Sequence, residues 1–243
     1  MSRALTLLVC IAMTACGGGS GALPFGSPTP ASQSQAASPS QTTVPAPVCV
    51  LPVAVILPGD STQFGIDGSI ADDTDPNAAR AVHNPGAELQ SEMDRIFGAG
   101  VVKVTDIGVP GTVAGDAARP VIHAPIISPN YGLNDARYGV PVKQFIADML
   151  SMHPTLIETP FPRFDSDPLL PVEQAYIAAE KASGVPIADV NAYVRSLPNW
   201  QQYFATPYSG HATDALYKMV VDNVLAPAIA DQVRQVQLES CHG

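Results

Sequence analysis

From Cys49 onward, short apolar runs alternate with stretches of helical period, and this alternation most restricts the fold. Val53-Ala54-Val55-Ile56-Leu57 carries no charge and stops at Pro58-Gly59, the pattern of a strand buried on both faces. Pro52 suits the first residue of that strand better than its middle. A polar loop through Asp72-Asp73-Thr74-Asp75-Pro76 follows, then an amphipathic helix over residues 87–97 that Gly98 stops. Residues 101–107 and 121–127 read as further strands. Residues 140–152 read as a helix with Pro141 in its first turn. A short strand over 155–158, a helix over 172–182 closed by Gly184, and a strand over 186–190 come next. The last helix spans 212 to about 235, kinked or broken at Pro227. Strands alternating with helices predict an α/β fold with a mainly parallel sheet covered on both faces. In such sheets the functional site lies beyond the carboxyl ends of the strands.

The 243 residues fit one domain with appendages. Residues 1–15 read as an export signal: Ser2-Arg3 is a short basic start, and the apolar run that follows is too short to span a bilayer. The run ends in Met13-Thr14-Ala15-Cys16 before Gly17-Gly18-Gly19, which resembles a bacterial lipobox. The resemblance implies that Cys16 becomes lipidated and N-terminal; the alternative is an ordinary secretory signal with an incidental cysteine. Two or more acyl chains would hold the domain stably on a membrane. Gly17, where an aspartate would signal inner-membrane retention, points to the outer membrane, so the expected location is exported and membrane-anchored. Residues 16–48 are mostly Ser, Pro, Gln, Ala, Thr and Gly with no charge, the composition of a flexible tether; the folded domain is expected over 49–243.

A net charge of −10 with only 12 Lys and Arg leaves no basic stripe for phosphates, so nucleic acid is not an expected partner. The acidity fits a role in solubility. Of four cysteines, Cys49 and Cys241 remain for the folded part. In an exported protein such a pair forms a disulfide, and both positions fall at the end of the sheet opposite the site; two free buried thiols are the other reading.

Four short segments carry chemistry. Ser61, in Gly59-Asp60-Ser61-Thr62, follows the first strand and would stand exposed there; a turn or cap residue is its plainer reading. Gly108-Val109-Pro110-Gly111 follows the second strand, and a glycine lets backbone approach a ligand closely, although the segment would make a turn in any case. Gly132-Leu133-Asn134-Asp135 offers the Asn134 amide to an oxyanion; otherwise it is a turn or a helix start, the role given to Asp135. His211, directly before the last helix, can take a serine proton and return it to a leaving group. The other histidines have no such setting, no cluster has metal-ligand spacing, and no metal or cofactor is expected.

Ser, Gly, Asn and His in this order, each after a strand or before a helix, resemble the SGNH hydrolases, the GDSL-type esterase and lipase family. The resemblance covers Cys49 to the C-terminus and implies a flavodoxin-like three-layer α/β/α fold. It implies Ser61 as nucleophile, His211 as base, and the Ser61, Gly111 and Asn134 donors as oxyanion hole, with Gly108 the alternative glycine. The implied activity is ester hydrolysis through an acyl-enzyme, by a monomer acting on a small-molecule, lipid or glycan ester. Acyl transfer to a sugar or alcohol, and a degraded site used for binding, are the alternatives. The chain departs from the family at Tyr208, where an aspartate three residues before the histidine is common. Either a Ser–His dyad operates, with a backbone carbonyl near Tyr208 taking the imidazole N–H, or Asp214 or Asp189 reaches in, or the site is degraded. The loop between Gly65 and Pro85 and the segment 159–171, with Phe161 and Phe164, are expected to shape the acyl site.

Overall fold

A computed structural model describes residues 52–70, 80–117, 123–204 and 210–242. The signal, Cys16, the tether, Cys49, the acidic loop at 72–75 and Tyr208 all lie outside the described residues. In chain order the elements are β1 (Val53–Leu57), α1 (Ser61–Phe64), α2 (Pro85–Phe97), β2 (Val102–Asp106), α3 (Ala114–Ala117) and β3 (Ile126–Ile127). There follow α4 (Leu133–Arg137), α5 (Val142–Ser151), β4 (Ile157–Glu158), α6 (Leu170–Ala182), β5 (Ile187–Ala188) and α7 (Val190–Ser196). A 3₁₀ turn (Trp200–Tyr203), α8 (Asp214–Val220), a π turn (Val221–Leu225) and α9 (Ala226–His242) complete the chain.

β1 pairs in parallel with β2 on one side and β3 on the other, and β4 pairs in parallel with β5. The two groups join where Asn130 meets Glu158 in a parallel bridge and Thr155 N–H donates to the Ile127 carbonyl. The order is therefore β2-β1-β3-β4-β5, all parallel, the flavodoxin-like arrangement, with its topological switch between β1 and β3. This is the expected α/β class.

One helical layer holds α2 and the long C-terminal helix. Leu89 and Met93 of α2 pack with Val53, Val55 and Leu57 of β1 and with Leu225, Ile229 and Val233. Burying each of these larger side chains contributes about 1.5–3 kcal/mol. The other layer, α3, α5 and α6, packs Phe145, Met149 and Tyr176 over Ile157 and Ile187. That layer lies over β3 to β5, which corrects the reading of β1 as buried on both faces. Ala54 on β1 and Lys103 and Thr105 on β2 are exposed, because among the described residues the β2–β3 crossover carries only the four-residue α3.

The caps follow the sequence. Asn84 Oδ1 accepts the Ala87 N–H ahead of α2, and Pro85 takes the first turn, where its missing N–H costs nothing. The final helix does not break at Pro227. Its turn widens instead: the Ala226 N–H bonds the Val221 carbonyl, a five-residue step just before the proline that cannot donate.

Glu180 on α6 is 0 % exposed, and neither carboxylate oxygen has a hydrogen-bond partner among the described residues. Burial, reinforced by Asp189, Asp135 and Glu173, pushes its carboxyl well above the ordinary range. The folded state thus holds this proton more tightly than the unfolded chain. The stabilisation is complete below the unfolded carboxyl's range and drains away as pH rises toward the folded one. Glu180→Gln, which keeps a neutral side chain of the same shape, should melt progressively higher than the wild type between pH 5 and pH 8. Parallel melting curves across that range would show that Glu180 carries no such linkage.

Candidate active site

β1 delivers the chain to Gly59, where only glycine fits: a Cβ would lie 2.1 Å from Gln63 Cβ and 2.8 Å from the Asn130 carbonyl. Asp60 then caps α1, its Oδ1 accepting from the Thr62 N–H and the Thr62 hydroxyl at 2.8 Å each. Gly65, at φ +79°, closes the same helix by donating to the Ser61 carbonyl. Ser61 therefore sits at the start of a single turn fixed at both ends. Burial raises the Asp60 carboxyl to about 6, while Thr62, the Asn134 N–H and the Arg163 charge favour its ionised form.

The loops beyond β2 and β3 are stitched to the same place. Val109 N–H donates to the Gly59 carbonyl at 2.9 Å, and Asn130 N–H to the Pro58 carbonyl at 2.9 Å. Asp135, fully buried and raised to about 6 by that burial, accepts from the Ala114 and Gly132 N–H groups at 3.1 Å each. It thereby ties the start of α4 to the end of the glycine loop. Asn134, second residue of α4, donates from Nδ2 to the Thr112 carbonyl at 3.1 Å. An amide nitrogen carries two hydrogens, so this bond orients the group and leaves the second for a ligand.

The two glycines of the second motif differ. Gly111 has φ +83° and open space where a Cβ would go. Gly108 packs against α1: a Cβ there would stand 2.6 Å from Phe64 N and 3.0 Å from the Gln63 carbonyl carbon. Gly108→Ala should cost about 2 kcal/mol or more through this collision, whereas Gly111→Ala should cost about 1–2 kcal/mol of backbone strain alone. Urea denaturation ranks the two, and the reverse order would contradict the packing.

His211 arrives from the other end of the chain. Its loop is held by backbone: Gly68 N–H donates to the Ala212 carbonyl at 2.8 Å, and Thr213 N–H to the Tyr203 carbonyl at 2.8 Å. His211 Nε2 lies 2.9 Å from Ser61 Oγ. The fold thus brings Ser61 and His211 into direct contact. It links Asn134 to the Gly111 loop through Thr112, and docks that loop on Gly59.

Two carboxylates considered for His211 are held elsewhere. Asp214 turns toward His83, accepting its backbone N–H at 2.7 Å and lying 3.8 Å from its Nε2. Asp189 caps α7 through the Ala192 N–H, and pairs with Thr159 Oγ1 at 3.2 Å and Lys181 Nζ at 2.6 Å. The aromatic residues expected around the acyl group belong to the core. Phe161 packs edge-on to Phe204 and Tyr217, and Phe164 edge-on to Trp200 and Phe204. Among the described residues one acidic trio, Glu88, Glu92 and Asp222, brings an oxygen from each within 4.8 Å. Lys218 Nζ already lies against two of the three, 2.5 Å from Glu88 and 3.1 Å from Asp222, and Arg95 pairs with Glu92.

Asp60, Asp135 and Arg163 escaped the sequence reading as parts of the site. The Asp60-Ser-Thr spacing is a helix-cap signature and Asp135 stands where a helix starts, whereas Arg163 carries no local signal.

No protein-family model matches the chain, and no curated protein matches it by sequence. Solved structures do resemble it. The lipase/acylhydrolase from Enterococcus faecalis is 18% identical with a TM-score of 0.56, covering 77% of this chain and 96% of that one. LAE5, an alpha/beta hydrolase enzyme from the metagenome of Lake Arreo in Spain, is 15% identical with a TM-score of 0.53, covering 74% and 94%. A catalytic mutant of Axe2, an acetylxylan esterase from Geobacillus stearothermophilus, is 15% identical with a TM-score of 0.51, again covering 74% and 94%. At such identities the likeness is one of fold.

Proposed function

We propose that this chain is a serine hydrolase of carboxylic esters, of the SGNH type. The observation that carries the reading is the 2.9 Å contact between His211 Nε2 and Ser61 Oγ, at the carboxyl end of β1 beside the topological switch. Ser61 Oγ attacks the ester carbonyl carbon while His211 Nε2 takes its proton. The oxyanion that forms is met by the Ser61 and Gly111 N–H groups and by the second hydrogen of Asn134 Nδ2. Collapse of this intermediate breaks the bond to the alcohol, which leaves with the proton from His211. Water then repeats the sequence on the acyl-enzyme, releasing the acid and restoring Ser61. Every proton removed is returned, so the cycle needs no cofactor. The esterases and lipase of like fold support this chemistry.

The same proposal places the domain on a membrane surface through lipid on Cys16, with residues 17–48 as tether. No helix among the described residues is long and apolar enough to cross a membrane. A disulfide at Cys241 supports Cys49 as its partner.

The test is a panel of p-nitrophenyl esters from acetyl to palmitoyl, run beside labelling by a fluorophosphonate probe. Turnover of at least one ester with labelling of the wild type is expected. Neither turnover nor labelling, under conditions where known esterases show both, would leave the cleft a binding site.

A further inference from the structure

Asn134 stands on a helix too short to hold itself. α4 has five residues, and isolated helices of that length are not stable in water. Its direction is set by what grips it. Two grips tie it to the chain after β2: Asn134 Nδ2 on the Thr112 carbonyl, and Asp135 on the Ala114 N–H. The third comes from the segment between β4 and α6. Arg163 Nη2 donates to the carbonyl of Leu133, the residue just before Asn134, at 2.6 Å.

Arg163 is itself anchored. Nη1 donates to Asp167 Oδ2 at 2.8 Å, and its backbone N–H faces both carboxylate oxygens of Glu173 at 3.2 Å each. Its carbonyl accepts from Arg195 Nη2 at 2.7 Å. Glu173 is fully buried on α6 and also accepts from Asn191 Nδ2 at 3.1 Å. Arg163 thus connects a 13-residue helix packed in the core, through its backbone N–H and a 3.5 Å ion pair from Nε to Glu173, to the short helix that presents the asparagine. A planar fork holds two acceptors from two separate nitrogens in fixed directions, a span that the single nitrogen of an ammonium on a flexible stem does not reproduce.

We propose that Arg163 is a positioning residue for Asn134, holding α4 so that the asparagine amide meets the oxyanion. The inference rests on the ester-hydrolase reading. Removing this grip lets α4 tilt, and misplacement by about 1 Å can cost on the order of a hundredfold in rate. The loss belongs to kcat, because the oxyanion contact is made in the transition state and not with bound substrate.

A double-mutant cycle decides the matter. kcat and KM for p-nitrophenyl acetate are measured for the wild type, Arg163→Met, Asn134→Ala and the double variant, each normalised to folded protein by near-UV circular dichroism. Arg163→Met should lower kcat about tenfold or more with KM little changed. Asn134→Ala should lower it on the order of a hundredfold. In the Asn134→Ala background the arginine change should then cost less than about threefold, since the two act as one unit. Arg163→Lys should lose nearly as much as Arg163→Met, and it repeats the cycle should the methionine variant fail to fold. An equal loss in both backgrounds, a wild-type kcat in Arg163→Met, or full rescue by lysine would overturn the proposal. Lysine rescue would assign the effect to charge beside Asp60. Ser61→Ala separates the two failures: activity surviving that change would overturn the hydrolase reading itself, whereas its loss beside an additive cycle would overturn only the role of Arg163.

Discussion

Ser61→Ala should abolish ester turnover, with kcat lowered about 10⁴-fold or more, because no other group can form the acyl intermediate. The fold should survive the change. The turn that carries Ser61 is capped by the Asp60 carboxylate and closed by the Gly65 N–H, and neither bond uses the serine hydroxyl. A melting temperature close to that of the wild type, no fluorophosphonate labelling and no burst of p-nitrophenol is the expected combination. Retained turnover in a homogeneous sample would move the chemistry away from Ser61. A collapsed melting temperature would contradict the account of the turn.

His211→Ala should lose a comparable amount, about 10⁴-fold in kcat, since the serine proton then has no acceptor at Nε2. Its loop is fixed by backbone bonds at Gly68, Ala212 and Thr213, so truncating the ring leaves the surroundings in place. Tyr208→Phe is the companion measurement. If His211 works as one half of a dyad, with backbone orienting its ring, removing the phenol oxygen leaves most of the activity. A loss from Tyr208→Phe as large as that from His211→Ala would show that the phenol belongs to the machinery.

β1 ends where the apolar run meets Pro58-Gly59, as the sequence predicts, because an uncharged run of that length has little alternative to a buried strand. The serine that follows, and the order of the glycine, asparagine and histidine motifs, could be read for the same reason. Strands β3, β4 and β5 are two residues long, shorter than their apolar patterns suggested. The described residues beside them lie outside the ladder: Asn130 meets Gly59 and Glu158 only through isolated bridges. The short helices α1, α3 and α4 span four or five residues, too few to show a period.

Asp135 reads as a helix-start residue, and it is one. Its second bond, to Ala114, crosses 21 positions and has no local signal. Arg163 is hidden more thoroughly. An arginine between prolines and aromatic residues looks like a surface charge, and its value lies in a carbonyl 30 positions away. Phe161 and Phe164 misled in the other direction, because an aromatic near a site motif and an aromatic in the core look alike along a chain.

The 150 positions between Ser61 and His211 also govern the order in which the protein can assemble. β1 can pair with β2 and collect α2 from a neighbouring stretch of chain, but the core they share is closed by Leu225, Ile229 and Val233 from the C-terminal region. Contacts of such sequence separation form slowly, because the intervening chain must lose its freedom before the contact contributes. The histidine loop reaches Ser61 from just before α8, across a separation of 150 positions. The Ser61–His211 contact is therefore expected among the later steps of folding, and a chain can have acquired most of its regular structure before the imidazole and the hydroxyl meet.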